Sequence, residues 1–268
     1  MACCWSWWKR YPDVARVARA PSPARVENLE SKAAGEGARA TRARIMLLLA
    51  ADTSGKHGSI ALARCGPGDS CGVIEVAALE GGTFSAQLVP QIAGLLARHT
   101  FHKEDIGGFA VVAGPGSFTG VRVGLAAIKA LAEVLQKPVA SVSLLEAMVV
   151  SARSQGRVTA VRDAGRGEVY AGEYEVHGNA ARLLQERLLT RAEWLEAAVG
   201  STIVVADQTF AEAARTAGLP VAEIEIPRSD VIARLGWQKI QAGKTVSPEA
   251  LDANYLRSSH EIFSKSSS

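Results

Sequence analysis

From residue 45 onward, apolar residues follow strand-like and helix-like spacings in two successive series. The first series predicts short β-rich runs separated by glycine-containing turns, at 45–51, 59–64, 72–79, 109–113 and 138–142. After the third run, apolar residues recur at the spacing of one helix face: Leu88, Ile92, Leu95 and Leu96. A further helix is expected after the glycine-rich turn that begins at Gly114, ending near Gln136, and Ser143 with Glu146 forms a capping-box signature for another.

The second series begins at Arg157 and repeats the same plan. Strands are predicted at 158–162, 168–176, 182–189, 202–206 and 221–226. Thr190 and Glu193 form a second capping box, which opens a helix to about Val199. Helices at 210–217 and 229–242 complete the series. Because both halves read strand-strand-strand-helix-strand-helix-strand-helix, we expect an α/β protein with two pseudo-repeated lobes, each a mixed sheet with flanking helices.

This periodicity predicts the domain organisation: a disordered extension at 1–44, lobes at 45–155 and 156–262, and a tail at 263–268. The extension is rich in Trp, Arg, Ala and Pro and has no sustained period; it fits a misassigned start, with Met46 as the true start, or a targeting or regulatory segment. It holds nine basic and four acidic residues, which leaves 21 basic and 23 acidic residues in the rest. The lobes therefore lack the basic surface typical of nucleic-acid binding.

Cysteine usage and hydropathy favour a cytoplasmic protein. Cys3, Cys4, Cys65 and Cys71 match neither a disulfide framework nor a zinc pattern, and Cys65 and Cys71 are expected to be ordinary thiols beside a turn. No apolar run reaches the ~18 residues that a membrane span needs.

The most informative segment is the glycine-rich turn and the helix that follows it. The turn lacks the lysine of a phosphate-binding loop, and Gly120 and Gly124 lie four residues apart on one helix face, followed by Ala127 and Leu131. This stripe predicts either a partner interface or close packing on the chain's own sheet. We favour the interface, with these candidate contact residues: Gly116, Ser117, Phe118, Thr119, Gly120, Arg122, Gly124, Ala127 and Leu131.

Two aspartates occupy matching positions in the two halves. Asp52 ends the first strand of the first half, before Thr53 and Ser54, and Asp163 ends the first strand of the second half. Asp52, Thr53, Ser54 and Asp163 are therefore candidates for a vestigial nucleotide cleft between the lobes. The alternative is that both acids only form turns.

On these residues the chain resembles the TsaB (YeaZ) family of the actin, sugar-kinase and heat-shock chaperone superfamily. The resemblance covers about residues 45–262. It rests on 48–54, on the segment from Gly114 to Gly124, on Asp163-Ala164 with 167–170, and on Tyr255-Leu256-Arg257. The resemblance implies two actin-like (RNase H-like) lobes. It has two departures: Phe84-Ser85-Ala86 stands where the family often has His-Ser-Glu before its first long helix, and Gly165 stands where a basic residue often follows Asp-Ala.

The resemblance implies a non-catalytic subunit with no cofactor or metal of its own. Family members support the related TsaD transferase, in a larger complex with the ATPase TsaE, and pair with themselves when TsaD is absent. Together these proteins place a threonylcarbamoyl group on an adenosine next to the anticodon of certain tRNAs. We therefore expect a TsaD-like partner, a TsaE-like partner and a homodimer, with tRNA contacted only indirectly and no membrane.

The alternative is an ATP-dependent phosphotransferase or ATPase of the same superfamily, acting from the cleft between the lobes. Asp52 and Asp163 would then organise magnesium, and Thr53 or Ser54 would contact phosphate. Such enzymes usually hold adenine with a glycine pair late in the second lobe, yet no such pair occurs between 200 and 245. The five histidines also lack the i, i+4 spacing of a helical metal site.

Overall fold

A computed structural model describes residues 45–68, 70–178, 180–254 and 256. These residues all belong to one compact unit of the chain, Ala43–Ser268. The predicted extension at 1–44 and the tail at 263–268 lie outside the described residues, as do Tyr255 and Arg257 of the C-terminal signature.

The first sheet is built by residues 46–143 and is mixed. Its spatial order is β3-β2-β1-β4-β5, with β1–β2 and β2–β3 antiparallel and β1–β4 and β4–β5 parallel. The strands are β1 Met46–Asp52, β2 Gly58–Cys65, β3 Cys71–Leu79, β4 Ile106–Gly114 and β5 Val139–Ser143. The helices of this part are α1 Phe84–Arg98, α2 Phe118–Leu135 and α3 Leu144–Ala152, with a 3-10 turn at Lys103–Asp105.

The second sheet repeats the pattern with the order β10-β9-β6-β7-β8. Its strands are β6 Gly156–Gly165, β7 Glu168–His177, β8 Ala180–Thr190, β9 Thr202–Val205 and β10 Val221–Glu223. The remaining helices are α4 Arg191–Ala197, α5 Gln208–Thr216 and α6 Ser229–Gln241. Two mixed sheets with flanking helices confirm the predicted α/β fold of two pseudo-repeated, actin-like lobes.

The alternation of side chains along each central strand decides which helices cover which face. On β1, Leu47, Leu49 and Ala51 share a core with α1 and α2, whereas Leu48 and Ala50 pack on the other face against α6. On β6, Val158 and Ala160 pack against α3, whereas Val161 faces α4 and α5. The chain therefore forms successive layers: α1 and α2, the first sheet, α6 with α3, the second sheet, and α4 with α5.

The last helix of each half packs mainly on the sheet of the other half. Helix α6 contacts β1, β2, β4 and β5 of the first sheet, and α3 contacts β6, β7, β8 and β9 of the second. Lys239 of α6 also forms a 2.8 Å ion pair with Glu146 of α3. The division of the chain into two lobes near residue 155 stays a prediction. Each sheet is built from one side of this boundary, whereas α3 and α6 each pack on the sheet of the other side.

The two predicted capping boxes differ in outcome. Thr190 and Glu193 form the predicted capping box at the start of α4. Ser143 caps α3 through the Leu145 amide, but Glu146 pairs with Lys239 instead of completing a box.

The expectation of two ordinary thiols is wrong for Cys65 and Cys71. They lie directly opposite each other on β2 and β3 and form a disulfide. Within the described ranges, no helix has the length and apolar character to span a membrane.

Candidate functional site

The glycine-rich turn joins the end of β4 to the start of α2 and is tied to the turn after β1. The Gly114–Pro115 peptide bond is cis. The Ser117 amide donates a 2.8 Å hydrogen bond to the Ser54 carbonyl, and the Ser117 hydroxyl accepts one from the Gly120 amide. Ser117 is thus the N-cap of α2.

Gly120 and Gly124 face the interior of the chain, where Thr53 fits against them. The Thr53 hydroxyl donates a 2.7 Å hydrogen bond to the Gly120 carbonyl. A Cβ atom at Gly120 would lie 2.1 Å from the Thr53 carbonyl oxygen, and one at Gly124 would lie 2.4 Å from Thr53 Oγ1. The two glycines therefore allow α2 to approach the end of β1 more closely than any side chain would permit.

This packing corrects the placement of the glycine pair at a partner interface. Both glycines are buried within the chain itself, which is the alternative that the sequence left open. Ser117, Phe118, Thr119 and Arg122 are exposed, and Gly116, Ala127 and Leu131 are half-buried. Contact by these seven residues stays a proposal.

The exposed side of α2 carries an apolar stripe, with the exposed Glu133 beside it. Ala126, Ala130 and Val134 face outward, and Val134 is 64% exposed. At the start of the helix the Arg122 guanidinium lies 3.5 Å from the centre of the Phe118 ring. The opposite side buries apolar side chains in the first core: Val121, Leu125, Ile128 and Ala132. Small side chains on an open helix face permit a close approach by another helix.

Asp52 is the last residue of β1 and is buried. It is only 4% exposed, and its carboxylate accepts a 2.8 Å hydrogen bond from the Ser54 amide. Burial raises the pKa of the Asp52 carboxyl, against the opposing effects of Ser54 and of the nearby positive charge of Arg162. A sealed carboxyl of this kind cannot reach a bound metal–phosphate group without a rearrangement of the turn.

Arg162, which the sequence analysis did not single out, joins the two sheets at this point. It lies at the end of β6, and its guanidinium donates 3.3 Å hydrogen bonds to the carbonyls of Ser54 and Pro115. Burial lowers the pKa of Arg162, and the charge of Asp52 opposes that effect. A guanidinium remains protonated in proteins, so Arg162 holds a positive charge beside Asp52.

The structure does not bring Asp163 to Asp52. Asp163 is exposed, and its carboxylate accepts a 3.1 Å hydrogen bond from the Gly165 amide in the β6–β7 turn. In the part of the chain that the structure describes, no group of three or more His, Cys, Asp or Glu side chains is placed to hold a metal ion. Of the four predicted cleft residues, Asp52, Thr53 and Ser54 are buried together, and Asp163 acts as a turn residue.

A polar cluster around Glu186 connects the second sheet to the end of the first. The Glu186 carboxylate accepts hydrogen bonds from the hydroxyls of Ser143 and Tyr174, and a 2.7 Å bond from the Asn254 side chain. Burial raises the pKa of the Tyr174 hydroxyl, and the neighbouring charge of Glu186 raises it further. The cluster fixes α3 and the C-terminal segment to β7 and β8.

Glu173 on β7 is the centre of a second ionic cluster. Its side chain is 5% exposed and is paired with Arg157 at 2.9 Å and with Arg187 at 2.7 Å. Burial opposes the charge, but the hydrogen bonds from both arginines outweigh burial and lower the pKa of Glu173. A carboxyl with a lowered pKa stabilises the fold above its unfolded pKa and loses that contribution as the pH falls through the folded value.

Glu173→Gln is therefore expected to lower the free energy of unfolding at neutral pH by about 2 kcal/mol. The difference from the parent should shrink as the pH falls through the lowered pKa of Glu173, where the folded parent itself takes up the proton. Urea unfolding from neutral pH down to acidic pH measures this difference in the free energy of unfolding. Glu175→Gln, on the same strand, is the matched control. An equal loss of unfolding free energy at all pH values would show that the shape of the Glu173 side chain, not its charge, stabilises the fold.

Comparisons with known proteins identify the relatives of the chain. The family model described as TsaD, tRNA N6-adenosine threonylcarbamoyltransferase, matches residues 80–241. The chain is 33% identical to the tRNA threonylcarbamoyladenosine biosynthesis protein TsaB of Bacillus subtilis over 56% of this chain and 65% of that protein. It is 30% identical to TsaB of Escherichia coli over 64% of this chain and 79% of that protein.

A solved structure shows the same fold. It is a Pseudomonas aeruginosa protein described as having similarity to the peptidase YeaZ, with a TM-score of 0.65 and 27% identity. The superposition covers 79% of this chain and 100% of that chain. The match to the Bacillus subtilis relative spans slightly less than two thirds of that protein's length.

Proposed function

This chain belongs to the TsaB (YeaZ) family, and from that premise we propose that it is a non-catalytic accessory subunit in the synthesis of threonylcarbamoyladenosine on tRNA. In this role it binds and supports a TsaD-like transferase, with a TsaE-like ATPase in the larger complex. It contacts tRNA only through these partners and works in the cytoplasm. It forms a homodimer when the transferase is absent.

One observation carries the proposal: the outward side of α2 exposes an apolar stripe of mostly small residues, although the chain's own core already covers the inner side. Ala126, Ala130 and Val134 line this surface, and Arg122 with Phe118 stands at its edge. The aromatic ring and the arginine at its edge are of the residue types enriched at protein interfaces.

The cleft supports an accessory role because its acids are not arranged for phosphoryl transfer. Asp52 is sealed behind Ser54 and lies near Arg162, and Asp163 is turned to solvent. Magnesium that bridges phosphates is normally bound by accessible carboxylates. Here the Arg162 guanidinium lies near Asp52 instead. Catalysis of phosphoryl transfer by this chain alone is therefore the weaker hypothesis.

Reconstitution tests this role. The chain, its TsaD-like and TsaE-like partners, tRNA, threonylcarbamoyl-adenylate and ATP are combined, and modified adenosine is measured after nuclease digestion. Omitting the chain should abolish modification, and the chain alone should produce none. Full modification without the chain would contradict the proposal, and ATP turnover by the isolated chain that Asp52→Asn abolishes would favour the phosphotransferase alternative.

A further inference from the structure

The proposed scaffold role makes no use of Cys65 and Cys71. The two residues lie directly opposite each other on β2 and β3, form a disulfide, and pack on the face of the first sheet that α6 covers. The hairpin does not need this bond for its register, because β2 pairs with β3 along its whole length and the Gly66 amide donates a 2.7 Å hydrogen bond to the Ser70 carbonyl. The disulfide can therefore be broken without unfolding the hairpin.

The two sulfur-bearing residues differ in their access to solvent. Cys65 is 0% exposed, whereas Cys71 is half-buried. Cys71 begins β3, the outermost strand on its side of the described sheet, so no further strand of that sheet covers it there. Its neighbours Ser70 and Gly72 are exposed and small. A small thiol from solution can therefore approach Cys71, while Cys65 stays behind it.

The structure also provides for the reduced form of the pair. Cys71 Sγ lies 4.0 Å from the carbonyl oxygen of Ala233 on α6. A sulfur in a disulfide carries no hydrogen, so this oxygen can accept a hydrogen bond from Cys71 only when the residue is a thiol. The Cys65 thiol would lie among apolar side chains, where a free cysteine behaves as a small hydrophobic residue. Both redox forms therefore fit the same fold.

The turn that the two cysteines enclose is in contact with α6. The Trp237 indole on α6 donates a 3.1 Å hydrogen bond to the Gly68 carbonyl in this turn. Trp237 is itself only 6% exposed and packs with Cys65 on the same face of the sheet. The disulfide closes the turn into a short ring and so restrains the carbonyl that Trp237 binds. Reduction removes this restraint next to α6.

We propose that Cys65 and Cys71 form a reversible redox site that exchanges with low-molecular-weight thiols of the glutathione class. In reduction, the small thiolate attacks Cys71 Sγ, forms a mixed disulfide there and displaces the Cys65 thiolate, which takes up a proton. A second small thiolate attacks the small molecule's own sulfur, which releases Cys71 as a thiol. Two small thiols are thereby oxidised to one disulfide, and the protein disulfide is reduced to two thiols. The reverse sequence oxidises the pair. This site goes beyond the proposed scaffold role.

Equilibration of the isolated chain with graded ratios of reduced to oxidised glutathione tests the site. After an acid quench and alkylation, trypsin cleaves after Arg64 and Arg98, and the peptide 65–98 contains both cysteines. Its mass should change from disulfide to dialkylated dithiol as the ratio rises. The melting temperature should fall by about 5 °C over the same transition. A chain with Cys3→Ser and Cys4→Ser is the matched control and should retain both changes.

Single variants test the order of attack. With oxidised glutathione, Cys65→Ala should accumulate the mixed disulfide at Cys71, and Cys71→Ala should form it at Cys65 about tenfold more slowly. Equal rates in the two variants would overturn the assignment of Cys71 as the attacked residue. A pair that stays oxidised in excess reduced glutathione, or reduced in excess oxidised glutathione, would overturn the reversible site. A redox transition without a change in melting temperature would overturn the restraint beside α6. The reconstitution result for the scaffold role is independent of all these outcomes.

Discussion

Replacing Gly120 with alanine is expected to lower the free energy of unfolding by about 3 kcal/mol, a large effect for the addition of one methyl group. The new Cβ would lie 2.1 Å from the Thr53 carbonyl oxygen, a backbone atom that cannot rotate away. Helix α2 would have to move from the end of β1, and the hydrogen bond from Thr53 to the Gly120 carbonyl would be lost. Urea denaturation at neutral pH measures the loss.

Gly124→Ala provides a sharper comparison because its neighbour is a side chain. There the new Cβ would meet Thr53 Oγ1 at 2.4 Å, so Thr53→Ala in the same chain removes the obstacle. The double variant should be more stable than the sum of the two single changes predicts, by about 1 kcal/mol. Thr53→Ala should not rescue Gly120→Ala, whose obstacle is the backbone.

Gly94→Ala is the matched control for both glycines. It lies within α1, and its Cβ would meet only the flexible end of Arg98 at 3.6 Å. Alanine is the better helix former, so this change should raise stability by about 0.5–1 kcal/mol. If Gly120→Ala behaved like Gly94→Ala, the close approach of α2 to Thr53 would be refuted.

The strand and helix pattern could be predicted from the sequence because both periodicities are strong in this chain. Buried runs such as 47–51 and 109–113 and the helix stripe at Leu88, Ile92 and Leu95 became β1, β4 and α1. The exchange of α3 and α6 between the halves could not be predicted in this way. Periodicity shows that a helix has an apolar face, but it does not show which sheet that face covers.

The prediction of the cleft residues was partly wrong because it relied on the matching sequence positions of Asp52 and Asp163. It did not consider which face of its strand each residue occupies. Successive strand residues point to opposite faces. Arg162 lies on the same face of β6 as Val158 and Ala160, toward α3, whereas Asp163 follows Val161 toward α4 and α5. The alternation along 158–163 is visible in the sequence and would have placed Arg162 and Asp163 on opposite faces of β6.

The glycine pair illustrates a different limit. Small residues four apart indicate a close helix contact, but they do not identify what makes it. Here the neighbouring apolar residues Val121, Leu125 and Ile128 provided the missing signal, since they place the glycine side of α2 against the chain's own core. By elimination, the remaining side of α2, which carries Ala126 and Ala130, faces outward.

On that outward side, Ala130→Arg is expected to weaken binding of the TsaD-like transferase by about 100-fold while leaving the fold intact. Ala130 is exposed in the middle of the apolar side of α2, so a long charged side chain there would prevent close approach of a partner helix. Arginine is a good helix former, so the melting temperature should change little. Biolayer interferometry with the purified transferase measures the affinity, and gel filtration follows the homodimer.

Ala192→Arg serves as the matched control because it makes the same change at an exposed alanine of α4, beside the second sheet. It should bind the transferase as the parent does. Ala126→Arg, one turn before Ala130, should reproduce the loss, which distinguishes a surface from a single contact. Unchanged binding in both α2 variants would place the partner elsewhere. Loss of homodimer with the transferase affinity retained would instead show that the two assemblies use different faces, because a shared patch must lose both together.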